Sequence, residues 1–185
     1  MRTVLARLLR VKTDERAFRI GADGEAEVGR RLAKLGEAWQ IVHAIPVGDA
    51  ETDIDHLVIG PRGVFTLNTK HHPSGKVWVA ERTFMVNGRT VPYLQKAVGE
   101  ARRASRLLSV ATARDVVVRP VIVVMGATSF KIKAEPPDVK VIGRRDVVRW
   151  LQVQSDFLDA EAINAIYASS CLLSTWRPGS TAWGH

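Results

Sequence analysis

Residues 53–70 read Asp-Ile-Asp-His-Leu-Val-Ile-Gly-Pro-Arg-Gly-Val-Phe-Thr-Leu-Asn-Thr-Lys, and no other stretch constrains the fold as much. Two apolar runs, residues 54–60 and 64–70, flank a Gly60-Pro61-Arg62-Gly63 turn. That pattern predicts adjacent strands joined by a tight hairpin. Asp55 starts the first strand and Lys70 ends the second, so the hairpin brings an acid and a base to one edge of a sheet. Strands seldom bury charges without a partner or a task.

The surroundings of the hairpin follow from periodicity. Residues 22–36 have a helical period, with Val28, Leu32 and Leu35 as one apolar stripe. Glu25 falls on the stripe side. Glu27, four residues before Arg31, has the spacing of a solvated ion pair. Residues 39–45, 76–80 and 83–91 read as further strands, the last bent at the Asn87-Gly88 hairpin turn. Pro92 suits the first turn of a long helix running to about Ala113. Leu94, Val98, Ala101 and Leu108 are its expected buried face, and Arg102, Arg103 and Arg106 its basic side.

Residues 119–125, centred on Val121-Ile122-Val123-Val124, predict a strand buried on both faces. Pro136-Pro137 marks a loop, 139–142 a short strand, and 146–153 and 160–173 two closing helices. The expected fold is α/β, a mixed central sheet flanked by helices with a small C-terminal helical extension. The expected organisation is a basic N-terminal segment (1–19), a core domain (20–125), a strand and helices packed on it (126–175), and a loose tail (176–185). Trp39, Trp78 and Trp150 sit in apolar patterns and read as core or edge packing, whereas Trp176 and Trp183 fall in the tail.

Lys and Arg number 27 against 19 Asp and Glu, a net charge of +8. Such a surplus suits a polyanionic partner, nucleic acid first, and equally suits a basic protein that merely stays soluble. The single cysteine, Cys171, excludes an intrachain disulfide framework and fits a reducing compartment, so a cytoplasmic location is expected. No apolar run approaches the roughly 20 residues that span a bilayer. Arg2, Arg7 and Arg10 cut residues 1–12 into short apolar pieces, and a frayed or docked terminal helix is expected there rather than a peripheral membrane anchor.

Period-2 geometry puts Asn68 and Lys70 on one strand face, beside Asp55, with Glu25 approaching from the packed helix. Phosphodiester hydrolysis with a divalent ion needs carboxylate oxygens for Mg²⁺ or Mn²⁺ and a cation near the attacking water. Glu25 and Asp55 offer the carboxylates, Asn68 a neutral carbonyl oxygen and Lys70 the cation. A structural ion pair between Asp55 and Lys70 at a sheet edge accounts for the same spacing.

Gly24-Glu25, Asp53-Ile54-Asp55-His56, Gly60-Pro61-x-Gly63-Val64-Phe65, Asn68-Thr69-Lys70 and Pro92-x-x-Gln95 occur in that order. Together they resemble the nuclease-related domain (NERD) family, a branch of the PD-(D/E)XK nuclease-like superfamily, over roughly residues 20–125. The resemblance implies a restriction-endonuclease-like α-β-β-β-α-β core and a Mg²⁺-dependent DNase. Glu25 and Asp55 become the metal-side acids, Lys70 the catalytic lysine and Gln95 a helper beside the site.

One position departs from that family pattern. Asn68 stands where the family carries glutamate, and is both shorter and neutral. Weak Mg²⁺ or Mn²⁺ binding is therefore expected, with Asp53, two residues before Asp55, as a minor candidate for compensation. His56 alternates to the opposite face and reads as a packed or hydrogen-bonding histidine; His71 and His72 read as loop histidines. Three functions compete. They are a metal-dependent nuclease acting on DNA, an inactive nucleic-acid-binding module on the same fold, and a basic peripheral protein anchored through residues 1–12.

Overall fold

A computed structural model describes residues 20–47, 53–155 and 157–177. The expectations for residues 1–12 and for Trp183 lie outside the described residues, and so does the side chain of Asp53.

A helix over residues 20–32 (α1) leads into strand β1 (Gln40–Pro46), then β2 (Asp53–Gly60) and β3 (Gly63–His71). Next come β4 (Lys76–Ala80), β5 (Thr83–Val86) and β6 (Arg89–Thr90), then the long helix α2 (Tyr93–Thr112). After α2 the chain forms β7 (Val118–Met125), β8 (Ser129–Ala134) and β9 (Lys140–Gly143). It closes with α3 (Val147–Gln152), α4 (Ala160–Ser170) and α5 (Leu173–Trp176).

The main sheet has the order β1-β2-β3-β7-β9, antiparallel through β3 and parallel from β3 to β9. β7 has neighbours on both sides, and its continuous apolar run is explained by packing on both faces. Val121, Val123 and Met125 join Val28 and Leu32 of α1 and Val147 and Leu151 of α3. Ile122 and Val124 point the other way, towards Leu94 and Ala97 of α2 and the small sheet. A third cluster seats Ala101, Ala104 and Leu108 of α2 and Ile163 and Ile166 of α4 on β2. Burial of these side chains, at roughly 1.5–3 kcal/mol each for the larger ones, is what holds the layers together.

The mixed central sheet flanked by helices is as expected, and a second sheet lies beside it. β4, β5 and β6 leave the main sheet and form a second one, order β6-β5-β4-β8. Its fourth strand, β8, was not foreseen, because Ser-Phe-Lys-Ile-Lys-Ala is short and its Lys131 and Lys133 are exposed. The Asn87-Gly88 turn is as expected, both residues having positive φ (50° and 79°). Pro92 precedes α2 as its N-cap rather than entering the first turn. Two closing helices become three, and Trp176 is no part of a loose tail. It is 2% exposed, with its indole N–H donating to the Ser170 carbonyl at 2.8 Å. Among the described residues no helix is long and apolar enough to cross a membrane.

Candidate active site

The hairpin forms as its turn predicts, with Gly60 paired to Gly63 across Pro61-Arg62. A side chain at Gly60 would run into the Trp39 ring, 2.2 Å from where its Cβ would sit. Pairing of β2 with β3 runs from that turn to His56 opposite Leu67, and there the two strands part. The Asp55 carboxylate takes over at this point, its Oδ2 accepting the backbone N–H of Thr69 at 2.6 Å. On the other side of β2, the register places Ala44 opposite Asp55. Ala44 has φ 51°, a left-handed backbone uncommon for alanine. The ladder is thus interrupted on both sides of Asp55.

Alternation puts Asn68 and Lys70 on one face of β3, as expected; that face is turned to α2, and the Lys70 ammonium donates to Asn68 Oδ1. Lys70 Nζ also lies over the Tyr93 ring, 5.1 Å from its centre. Burial is the largest influence on Lys70 and lowers its pKa from 10.5. Asp55, then Glu100, then Glu25 oppose that shift, and Lys96 adds to it. The four sequence-selected residues Glu25, Asp55, Asn68 and Lys70 therefore share one electrostatic neighbourhood.

Glu25 reaches this neighbourhood from the first turns of α1, which pack on the opposite face of the sheet. The close approach requires Gly24. A Cβ there would lie 3.0 Å from His71 Cβ and 3.3 Å from Thr69 Cγ2. Glu27 instead pairs with Arg30 and Arg31, the latter at the predicted four-residue spacing.

Sequence reasoning missed Glu100, a half-buried residue on α2. Its Oε2 accepts from Asn68 Nδ2 at 2.9 Å, so a single asparagine joins Glu100 to Lys70. Burial raises the Glu100 pKa, Asn68 and Lys70 work against that rise, and Asp55 reinforces it. A signal was present in the pattern. Glu100 lies three residues after Ala97 and four before Ala104, on the face that packs against the sheet.

The histidines behave differently. His56 is 3% exposed and its Nδ1 meets His43 Nδ1 at 2.7 Å, both rings lying against Gly29 of α1. Burial first, and then His43, push its pKa down to about 4. His71 belongs to β3 rather than to a loop, and its Nδ1 donates to the Ile20 carbonyl at 2.8 Å. His72 follows the strand and stacks on Tyr93, with ring centres 5.8 Å apart.

Beside Glu100, α2 walls a groove lined by Lys96, Arg102, Arg103 and Arg106, with Val47 across from it. Arg103 Nη1 donates to the Val47 carbonyl at 3.5 Å. The three arginines expected to form a basic side do so, and Lys96 extends it. Gln95 is exposed and turns into the adjoining groove, lined by Leu94, Val98, Arg102, Pro136 and Pro137. Its place is therefore one step round the helix from the Lys70 neighbourhood.

The donor set consists of carboxylate and amide oxygens, the chemistry of hard cations such as Mg²⁺ or Mn²⁺ rather than of thiolate-loving metals. Among the described residues no three His, Cys, Asp or Glu side chains gather closely enough to hold an ion between them. Mg²⁺ commonly takes one or two carboxylates and keeps several waters, so the residues fit an ion held mainly from Glu25 and Asp55.

A mixed sheet flanked by helices, entered by α1 and opened at the β2–β3 edge, defines a nuclease-like α/β core. The family model of the nuclease-related domain (NERD) matches residues 20–125, more than half of the chain, and the protein belongs to that family. No curated protein and no solved structure matches the chain.

Proposed function

We propose that this NERD-family protein binds DNA along α2 and hydrolyses its phosphodiester bonds with Mg²⁺ or Mn²⁺ at the β2–β3 edge. The observation that carries this reading is continuity. The groove lined by Lys96, Arg102, Arg103 and Arg106 also includes Glu100, which is hydrogen-bonded to the Asn68–Lys70 pair. A phosphate backbone held by those cations would deliver a phosphodiester to the parted strands.

Glu25 and Asp55 would hold the ion, with Asn68 Oδ1 as a neutral donor. When bound, the ion supplies positive charge to the scissile phosphate and acidifies a coordinated water. Lys70 offsets charge developing on the phosphate, and its lowered pKa makes it a readier proton donor than an exposed lysine. Tyr93 and the buried strand face limit water around its ammonium, which strengthens that interaction.

One observation favours the second reading, an inactive nucleic-acid-binding module. Both ends of the Asn68 amide are engaged, Oδ1 by Lys70 and Nδ2 by Glu100. Nicking of supercoiled plasmid with Mn²⁺, with and without chelator, separates the two. Chelator-sensitive cleavage that Lys70→Ala abolishes supports the nuclease. DNA binding without cleavage supports the module, and absence of both refutes the two together.

A further inference from the structure

Position 68 lacks a negative charge, yet the neighbourhood of Lys70 does not. We infer that Glu100 supplies from α2 the charge that β3 lacks, acting through Asn68 as a positioning residue for the cation site. The inference rests on the cation reading above and names a residue that reading leaves out.

Hydrogen-bond valence fixes how the Asn68 amide is turned. An ionised carboxylate only accepts, and an asparagine amide has one accepting end and one donating end. Glu100 Oε2 must therefore face Nδ2, which turns Oδ1 towards Lys70. The amide is 8% exposed, so solvent does little to reorient it. Hydrogen bonds in series polarise one another. Donation to an anion leaves Oδ1 more electron-rich and a better oxygen donor than an unsupported amide. Asn68 and Glu100 together thus present what one longer acid on the strand would present: an oxygen on the Lys70 side, with one lone pair beyond its bond to Lys70, backed by a negative charge.

One further observation agrees. Glu100 also lines the groove walled by Lys96, Arg102, Arg103 and Arg106, so its carboxylate sits where that groove meets the Asn68–Lys70 pair. Because Glu100 bonds to Asn68 Nδ2, its charge would act one hydrogen bond away from an ion at Oδ1.

The test moves the charge back to the strand. Mn²⁺ affinity is measured by calorimetry, and by electron paramagnetic resonance of free Mn²⁺, on wild type and variants, with thermal unfolding as a fold check. Glu100→Gln is expected to weaken Mn²⁺ binding about 10- to 100-fold, the range for loss of a residue that orients a ligand. Glu100→Asp, which keeps the charge, is expected to lose less. The double substitution Glu100→Gln with Asn68→Glu is expected to recover wild-type affinity or better. Asn68→Glu alone sets two carboxylates against each other and is expected to gain less than the double variant at neutral pH. Wild-type affinity in Glu100→Gln, or no recovery in the double variant, overturns the inference and leaves the cation site standing. Absence of Mn²⁺ binding in both wild type and Asn68→Glu overturns the cation site itself, and this inference with it.

Discussion

Asp55 Oδ2 accepts the backbone N–H of Thr69 at 2.6 Å, so one carboxylate ends the β2–β3 ladder and faces Lys70. Position and charge can therefore be separated by choice of substitution. Asp55→Ala leaves a buried N–H unsatisfied and is expected to cost about 1–3 kcal/mol of stability. Asp55→Asn keeps an acceptor for Thr69 and removes the charge, so it is expected to unfold near the wild-type temperature while losing Mn²⁺ binding. Thermal unfolding and Mn²⁺ titration of the pair check this, and equal melting temperatures for the two variants would contradict it.

The pH dependence of stability distinguishes Lys70 from a structural ion pair. Its folded pKa lies below 10.5, chiefly through burial, so the folded state binds this proton less tightly than the unfolded chain. The penalty is present in full below the folded pKa and is relieved as pH rises from there towards 10.5. Wild type is expected to gain stability relative to Lys70→Met across that window. A pair worth keeping for stability would show the opposite slope. Urea unfolding of both proteins from pH 7 to 10.5 reads the difference.

His56 makes a second pH prediction, on the acidic side. Its pKa is pushed down from 6.5 to about 4, so the unfolded chain takes up the proton first as pH falls. The contribution is present above pH 6.5 and is lost between there and about 4. At about 1.4 kcal/mol per unit, the loss amounts to about 3 kcal/mol. Wild type is expected to lose stability relative to His56→Phe as the pH falls through this window, read from denaturant midpoints.

DNA binding is expected to be salt-dependent and largely indifferent to sequence. If about six phosphates are contacted, affinity falls roughly 10³-fold from 50 to 200 mM salt. Replacing Arg102, Arg103 and Arg106 by glutamine is expected to lower the salt slope as well as the affinity. Fluorescence anisotropy with labelled duplex and single strand measures both. An unchanged slope would move the interface away from α2.

Gly24→Val is expected to destabilise by more than a surface change, because its Cβ would already sit tightly at 3.0 Å from His71 Cβ and the two valine methyls add bulk against Thr69 and Met125. Glu25 moves with that turn. A drop in melting temperature together with weaker Mn²⁺ binding is the expected outcome.

Much of this architecture was legible in the linear pattern. The hairpin around Pro61-Arg62, the doubly buried β7 and the arginine face of α2 each follow from short-range rules. Turn residues, apolar period and helical spacing act within a few positions of one another. Asn68 and Lys70 were found because alternation along one strand is a local property. The second sheet was not legible, since β8 pairs with a strand some fifty residues earlier and carries exposed lysines. Trp176 looked like tail because its partner, the Ser170 carbonyl, matters only once α5 folds back.

The chain alone determined which residues carry charge, where strands turn, and that position 68 holds an amide rather than an acid. Tertiary structure decided what that amide does. Its two hydrogen-bonding ends are filled by Lys70, two residues away on the same strand, and by Glu100, thirty-two residues away on a helix. Strand alternation reveals the first of these partners. The second appears only when packing of α2 on the sheet brings a carboxylate against the asparagine, because a hydrogen bond depends on distance in space and not along the chain.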